Sequence, residues 1–248
     1  MRVLVVENDR ITALGQIEAA LLEAGAKIEL CRPHAGEALP SDGLAYDALV
    51  VMGGPQSAVD DERHPYLPAL CAMMRRYGDA GKSVLGVCLG SQLLARSYGA
   101  TNLIGEAFEF GWCDIQPTEQ GLADPLLATV GGAFPIFQWH SDTFTLPEGA
   151  VRLAHNQTAT NQAFRIGRAT YGTQFHFEVD RSVASWWRDL FPEQIERMAP
   201  GWIDSFDAIA AARGPAADAA GLAIARAWVS TIAAGIEAQD MVTVGSAA

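Results

Sequence analysis

Positive charge is scarce in this chain: 17 Lys and Arg stand against 29 Asp and Glu over 248 residues, a net charge of -12 at pH 7. A sequence-independent hold on phosphate backbones needs a concentrated basic face, and no Lys/Arg cluster occurs, so no nucleic acid partner is expected. Long hydrophobic runs are also missing. No window approaches the roughly eighteen consecutive apolar residues of a membrane span. The N-terminal "MRVLVVENDR" has too short an apolar run for a signal sequence and no small-residue cleavage site. The expectation is a cytoplasmic protein with no membrane partner. Cysteine is sparse as well: Cys31, Cys71, Cys88 and Cys113 are widely spaced with no C-x-x-C pair, which suggests neither a disulfide framework nor a zinc knuckle. The phosphate-binding pattern G-x-x-x-x-G-K-[ST] is absent too. No metal and no cofactor are expected.

Half of the chain is hydrophobic, enough for one large or two small cored domains. "RVLVVEN", "KIELC", "YDALVVMGG" and "SVLGV" read as strands, several of them continuous valine-rich runs of the kind buried on both faces of a parallel sheet. Between them lie helical patterns over residues 11–24, closed by Gly25, and over about 65–77. Strand and helix in alternation imply an α/β fold, a mostly parallel sheet flanked by helices. From Phe108 onward, shorter extended pieces ("FEFGWCDIQP", "IFQWHSD", "VRLAHN", "NQAFRIG", "TYGTQFHFEV") read as added strands and hairpins. After about Arg181 the pattern turns helical, with Trp186, Trp187, Trp202 and Trp228 expected to pack on the core. Pro215 after Gly214 reads as a break between helices, and "VGSAA" as a frayed end. The expected division is a domain over 1–180 and a helical extension over 181–248.

The chemistry concentrates in "GVCLGSQLLA", residues 86–95. A buried structural cysteine needs no flanking glycines. A nucleophile on a sharp turn between strand and helix does, because the tight geometry leaves no room for side chains two residues on either side. The helix dipole that follows favours the thiolate, the reactive form. In "TQFHFEV", strand alternation would put Gln174, His176 and Glu178 on one face. Cys88, His176 and Glu178 then form a nucleophile, a base and an orienting carboxylate. The same H-x-E in a zinc deaminase needs a P-C-x-x-C partner, which is absent. In "VVMGGPQS", Gly53 and Gly54 end a strand where backbone N–H groups can face a ligand, suiting an oxyanion hole. A plain turn, a satisfied strand histidine and a core cysteine are the blander readings of each piece alone.

Together and in this order, "VMGGP", "GVCLGSQLLA" and "QFHFE" resemble the class I (triad-type) glutamine amidotransferases, strongly over about residues 45–180. "EFGW" and "QWHSD" look most like the stand-alone, GMP-synthase-like members, which also resemble plant γ-glutamyl peptidases. The resemblance implies a flavodoxin-like fold and glutamine as the small-molecule substrate. It further implies attack by Cys88 on the side-chain amide, giving a γ-glutamyl thioester and ammonia. His176 would move the proton and Glu178 orient it. Gly54 and Leu89 would supply the oxyanion N–H groups. Substrate contacts would fall to Gly53, to Gln92 and to the segment Trp139, His140, Ser141 and Asp142, although His140 and Asp142 read equally well as ordinary loop residues.

Two departures stand out. Phe177 occupies a position where the family usually has proline. The ammonia-accepting synthetase domain of the usual enzyme has no counterpart in the sequence, so a separate synthetase is the implied partner. A γ-glutamyl peptidase or related amide hydrolase, and a non-catalytic regulatory protein of the same fold, are the other readings. A DJ-1-like protein also carries an elbow cysteine, but its histidine follows the cysteine directly, where this chain has Leu89.

Overall fold

The computed structural model describes residues 1–41 and 44–245, with side chains described as far as residue 237. In chain order the elements are β1 (Arg2–Val6), α1 (Gly15–Glu23), β2 (Lys27–Cys31), β3 (Ala48–Val51), α2 (Leu67–Asp79), β4 (Ser83–Val87) and α3 (Leu89–Ser97). Next come β5 (Asn102–Leu103), β6 (Glu109–Pro117), α4 (Glu119–Ala123), β7 (Phe134–His140), β8 (Thr143–Phe144), β9 (Val151–His155), β10 (Ala163–Ile166) and β11 (Thr170–Thr173). Three helices close the chain: α5 (Arg181–Leu190), α6 (Pro192–Met198) and α7 (Phe206–Gly245).

One nine-stranded sheet runs in the order β2-β1-β3-β4-β11-β10-β9-β6-β7. The first five strands pair in parallel and the remaining pairs are antiparallel. The short β5 and β8 pair separately. This is the flavodoxin-like order at its parallel end, with β11 in the fifth place.

The valine-rich runs are buried on both faces because helices cover both. Val3, Val5, Val50, Leu85 and Val87 pack with Ile17 and Leu21 of α1 and with Ile224, Trp228 and Ile232 of α7. Leu4, Val6, Leu49, Val51 and Val84 point the other way, onto α2 and α3. A third cluster, rich in aromatic rings, joins Trp112 and Phe137 to Trp187, Trp202 and Phe206. By length and composition α7 could cross a membrane, but Ile224, Trp228 and Ile232 lie buried against the sheet, so its apolar character serves the core.

Four expectations are corrected. The helical pattern at 11–24 begins only at Gly15, whose φ of +48° is left-handed and whose Cβ, if present, would lie 2.0 Å from the Glu178 carbonyl oxygen. The chain there must pass close to Glu178, and residues 11–14 are left as loop. The strand read through "TQFHFEV" stops at Thr173. Gln174, His176 and Glu178 are buried and so are Phe175, Phe177 and Val179, because the chain leaves the sheet and is enclosed on all sides. Pro215 does not break the helix: α7 runs through it. The lost backbone hydrogen bond, a cost of about 3 kcal/mol, is offset by packing before and after it, at Ala210 and Ala217. Gly214 answers to clearance instead, since a Cβ there would meet Arg181 Cδ at 2.2 Å, and Arg181 pairs with Asp218 at 2.6 Å. Of the four tryptophans, Trp187, Trp202 and Trp228 are buried, but Trp186 is exposed, because adjacent residues of a helix face different ways. The last three residues of the tail expected to fray lie outside the described residues.

Candidate active site

Loops leaving the carboxyl ends of β1, β3, β4 and β11 converge on one cavity of about 570 Å³. This is where an open parallel sheet places its ligands, at the point where successive crossovers diverge. β1 has β2 on one side and β3 on the other.

Cys88 stands between the end of β4 and the start of α3 with φ 51° and ψ -109°. Among the described residues no other non-glycine has a positive φ. Such a backbone costs about 1–3 kcal/mol and persists only where the surroundings fix it. Here they do. The Cys88 N–H donates to the Thr173 carbonyl (2.8 Å), and the Cys88 carbonyl accepts from Ser91 N (2.9 Å), Gln92 N (3.1 Å) and Ser91 Oγ (2.7 Å). The flanking glycines are clearance for this turn. A Cβ on Gly86 would lie 2.3 Å from the Gly90 carbonyl oxygen, and one on Gly90 would lie 2.0 Å from that of Val51. The other three thiols are in less reactive settings: burial raises Cys71 and Cys113 to about 11 and pushes Cys31 upward too.

His176 and Glu178 meet at 2.6 Å, Nδ1 to Oε1, both almost fully buried. Phenylalanine at 177 leaves this contact intact. The Phe177 side chain enters the core and its carbonyl accepts from Gln16 Nε2 at 3.2 Å. A methyl group placed on Gly53 would sit 3.3 Å from His176 Cε1 and 3.5 Å from Cys88 Cβ, so imidazole and thiol converge over that glycine. Among the described residues, His176 Nε2 has no hydrogen-bond partner. Burial opposes charge on this ring, but the Glu178 carboxylate and then Cys88 outweigh it, and the His176 pKa is raised well above 6.5. A raised folded-state pKa favours folding fully below the ordinary imidazole value, and this contribution is lost as pH rises through the folded one. Glu178→Gln should lower the His176 midpoint, read from the imidazole NMR shifts across pH; an unchanged midpoint would show that the carboxylate does not hold the proton.

All eleven residues singled out from the sequence line this one cavity. The backbone N–H groups of Gly54 and Leu89 have no protein acceptor among the described residues. Gln92 Nε2 donates to the Asp142 carbonyl (3.2 Å) and to Gln174 Oε1 (3.3 Å). Both ring nitrogens of His140 are engaged, Nε2 with Glu109 Oε2 at 3.1 Å and Nδ1 with the Asp142 carbonyl at 3.0 Å. That makes His140 a brace for the segment around it. Trp139 presents its carbonyl to Cys88 Sγ at 3.7 Å. Asp142 accepts at Oδ1 from Gly105 N (2.9 Å) and Ser141 Oγ (3.1 Å).

Two walls escaped sequence reasoning. The loop after β1 contributes Asp9, Arg10 and Thr12, and α5 and α6 contribute Trp187, Phe191, Gln194 and Met198. The Trp187 ring stands edge-on to His176, centroids 5.5 Å apart at 88°. The tryptophan pair at 186 and 187 was a signal that α5 packs on something, but not on what.

Comparisons with known proteins identify the family. The family model for glutamine amidotransferase class-I matches residues 8–185. The chain is 34% identical to the glutamine amidotransferase-like protein YfeJ of Salmonella typhimurium, over 72% of this chain and 76% of that one. It is 30% identical to one of the subunits of the glutamine-hydrolyzing GMP synthase of Natronomonas pharaonis, over 74% of this chain and 91% of that one. Full-length GMP synthases are matched over only 25–32% of their own length. The crystal structure of a glutamine amidotransferase from Thermotoga maritima superposes with a TM-score of 0.79 at 26% identity, covering 92% of this chain and 98% of that one. With the matched segment spanning most of the chain and containing the Cys88 turn, the chain belongs to the class-I glutamine amidotransferase family.

Proposed function

We propose that the protein hydrolyses the side-chain amide of glutamine to glutamate and ammonia through a γ-glutamyl thioester on Cys88. The observation that carries this reading is the convergence of a strained, helix-capping cysteine with a buried His176–Glu178 pair over Gly53. The Cys88 sulfur, its proton passed to His176, attacks the amide carbon. The oxyanion is received by the Gly54 and Leu89 N–H groups, which hold no protein acceptor among the described residues. His176 protonates the departing nitrogen, then takes a proton from the water that cleaves the thioester, restoring the thiol and releasing glutamate. Glu178 fixes the ring so that Nε2 faces the reaction. The substrate's α-ammonium and α-carboxylate fall to Gln92 and to residues 139–142, where Asp142 Oδ2 makes no hydrogen bond among those of the described residues.

The released ammonia serves a separate synthetase, a reading supported by the name of the Natronomonas relative, which belongs to a GMP synthase. Residues 1–180 carry the amidotransferase domain and 181–248 the helical extension, in a cytoplasmic protein whose thiols are free. The test is to incubate the protein with glutamine, follow glutamate and ammonia, and digest acid-quenched samples for mass spectrometry. Equal release of the two products and a glutamyl adduct on the Cys88 peptide are expected. An adduct on another residue, or glutamate release without one at Cys88 under rapid quench, would overturn the mechanism.

A further inference from the structure

The cavity contains more than a glutamine site. At about 570 Å³ it falls in the range of pockets that hold drug-sized ligands, roughly 300–1,000 Å³, and glutamine would leave much of it empty. On one side it is lined by α5 and α6 and the residue between them, through Trp187, Phe191, Gln194 and Met198, and beside these by Asp9, Arg10 and Thr12 of the loop after β1. The first four residues lie beyond residue 185, where the family match ends. This wall is built by the helical extension that follows the matched segment.

Its position relative to the reacting atoms is informative. Trp187 packs edge-on against His176, the group that hands its proton to the departing nitrogen. Trp139 ties the wall together, its ring 5.3 Å from that of Trp187 and 5.6 Å from that of Phe191. Whatever is attached to the departing nitrogen must extend on the His176 side of the scissile bond, and there it meets this surface. On the α5 and α6 side that surface is mostly apolar, with the polar loop of Asp9, Arg10 and Thr12 as its neighbour. The indole N–H of Trp187 is already donated to the Ile11 carbonyl (3.3 Å), which leaves Gln194, at the exposed rim, as the only polar side chain of the wall free of that duty. A site built for the NH2 of a primary amide alone would surround it with acceptors and leave no room beyond.

We propose that α5 and α6 form a leaving-amine subsite, with Phe191 and Met198 as its specificity-determining side chains, and that the protein cleaves γ-glutamyl amides whose amine bears an apolar or aromatic group. The inference rests on the Cys88 mechanism above. The reaction balances in the same way: the amide carbon forms a bond to Cys88 sulfur, the carbon–nitrogen bond breaks, His176 gives the amine its proton, and water completes release of glutamate.

The experiment compares kcat/KM for γ-glutamylphenethylamide and γ-glutamylethylamide, which have alkyl leaving amines of similar basicity, alongside glutamine. Wild type should prefer the phenethylamide by about tenfold or more, the scale on which apolar pockets discriminate. Phe191→Ala, and independently Met198→Ala, should reduce that ratio several-fold. Both side chains are half-buried, so either variant is expected to fold. If glutamine is hydrolysed but the two amides react equally or not at all, the subsite is refuted while the Cys88 reading stands. A preference that survives both substitutions would also refute it. If no γ-glutamyl compound is hydrolysed, glutamine included, both readings fall together.

Discussion

Cys88→Ala is expected to lower turnover of glutamine by about 10⁴-fold or more while leaving the protein folded, because removing the nucleophile of such a constellation leaves only the residual effect of binding and oxyanion stabilisation. Glutamate release measures the loss, and circular dichroism with thermal melting measures the fold. The alanine keeps the φ of 51° that Cys88 adopts, so its backbone strain is unchanged. Cys88→Gly is the informative companion. Glycine accepts positive φ without steric cost, although it loses more chain entropy on folding. Relief of about 1–3 kcal/mol of strain against about 0.5–1 kcal/mol of entropy leaves a variant that is inactive and about 1 kcal/mol more stable. An inactive Cys88→Gly that is less stable than wild type would mean that the turn is held by the thiol's own contacts. A Cys88→Ala protein with wild-type turnover would overturn the Cys88 mechanism, and a wild type without turnover would return the chain to the non-catalytic reading, since burial raises the pKa of the other thiols.

How far the sequence disclosed this site depends on what kind of signal each residue leaves. The strand over 83–87 matches β4 residue for residue, because a short valine-rich run between Lys82 and the Cys88 turn has few other ways to bury both faces. Gly86 and Gly90 were legible for the same reason: their spacing about a cysteine has one economical explanation, and the distances to Gly90 and Val51 carbonyls give it. His176 was found by the wrong geometry. Alternation of polar and aromatic residues from 174 to 179 reads as a strand with one face inward, yet all six are buried, and a segment enclosed on every side has lost the contrast on which the reading depends. The His176–Glu178 contact forms because the chain bends after Thr173, with His176 N donating to the Phe137 carbonyl at 2.8 Å. That carbonyl belongs to a strand about forty residues earlier, and no local pattern announces it. The wall from α5 and α6 was hidden similarly. Helical periodicity can show that Trp187 and not Trp186 faces inward, but the identity of its neighbour, His176, is a fact of tertiary packing.

Gly90→Ala should be a strongly damaging single-methyl change at the nucleophile turn, because the obstacle is backbone. The added carbon would lie 2.0 Å from the Val51 carbonyl oxygen and 2.8 Å from its carbon. Val51 cannot retreat, since β3 is pinned between β1 and β4, with Val51 paired to Val6 on one side and to Gly86 on the other. The helix must therefore move outward, taking with it the Leu89 N–H and the Cys88 turn. Overpacking that forces backbone shifts costs typically 1–3 kcal/mol, and with no flexible neighbour the expected loss is about 3 kcal/mol or more. For a chain of this size that is a fall of about 6–12 °C in Tm, with activity lost at temperatures where the variant is still folded. Gly132→Ala is the control. Its Cβ would meet nothing within 4 Å, and the change should stay within about 0.5 kcal/mol of wild type. Gly54→Ala falls between the two, because its nearest obstacle is the far end of the Gln56 side chain, at 2.3 Å, which can turn away. An ordering of Gly90 above Gly54 above Gly132 in lost stability ties the glycine pattern to backbone clearance at the nucleophile turn. If Gly90→Ala melts with wild type and retains turnover, α3 does not start where the elbow requires, and the reason given for the glycines around Cys88 is wrong.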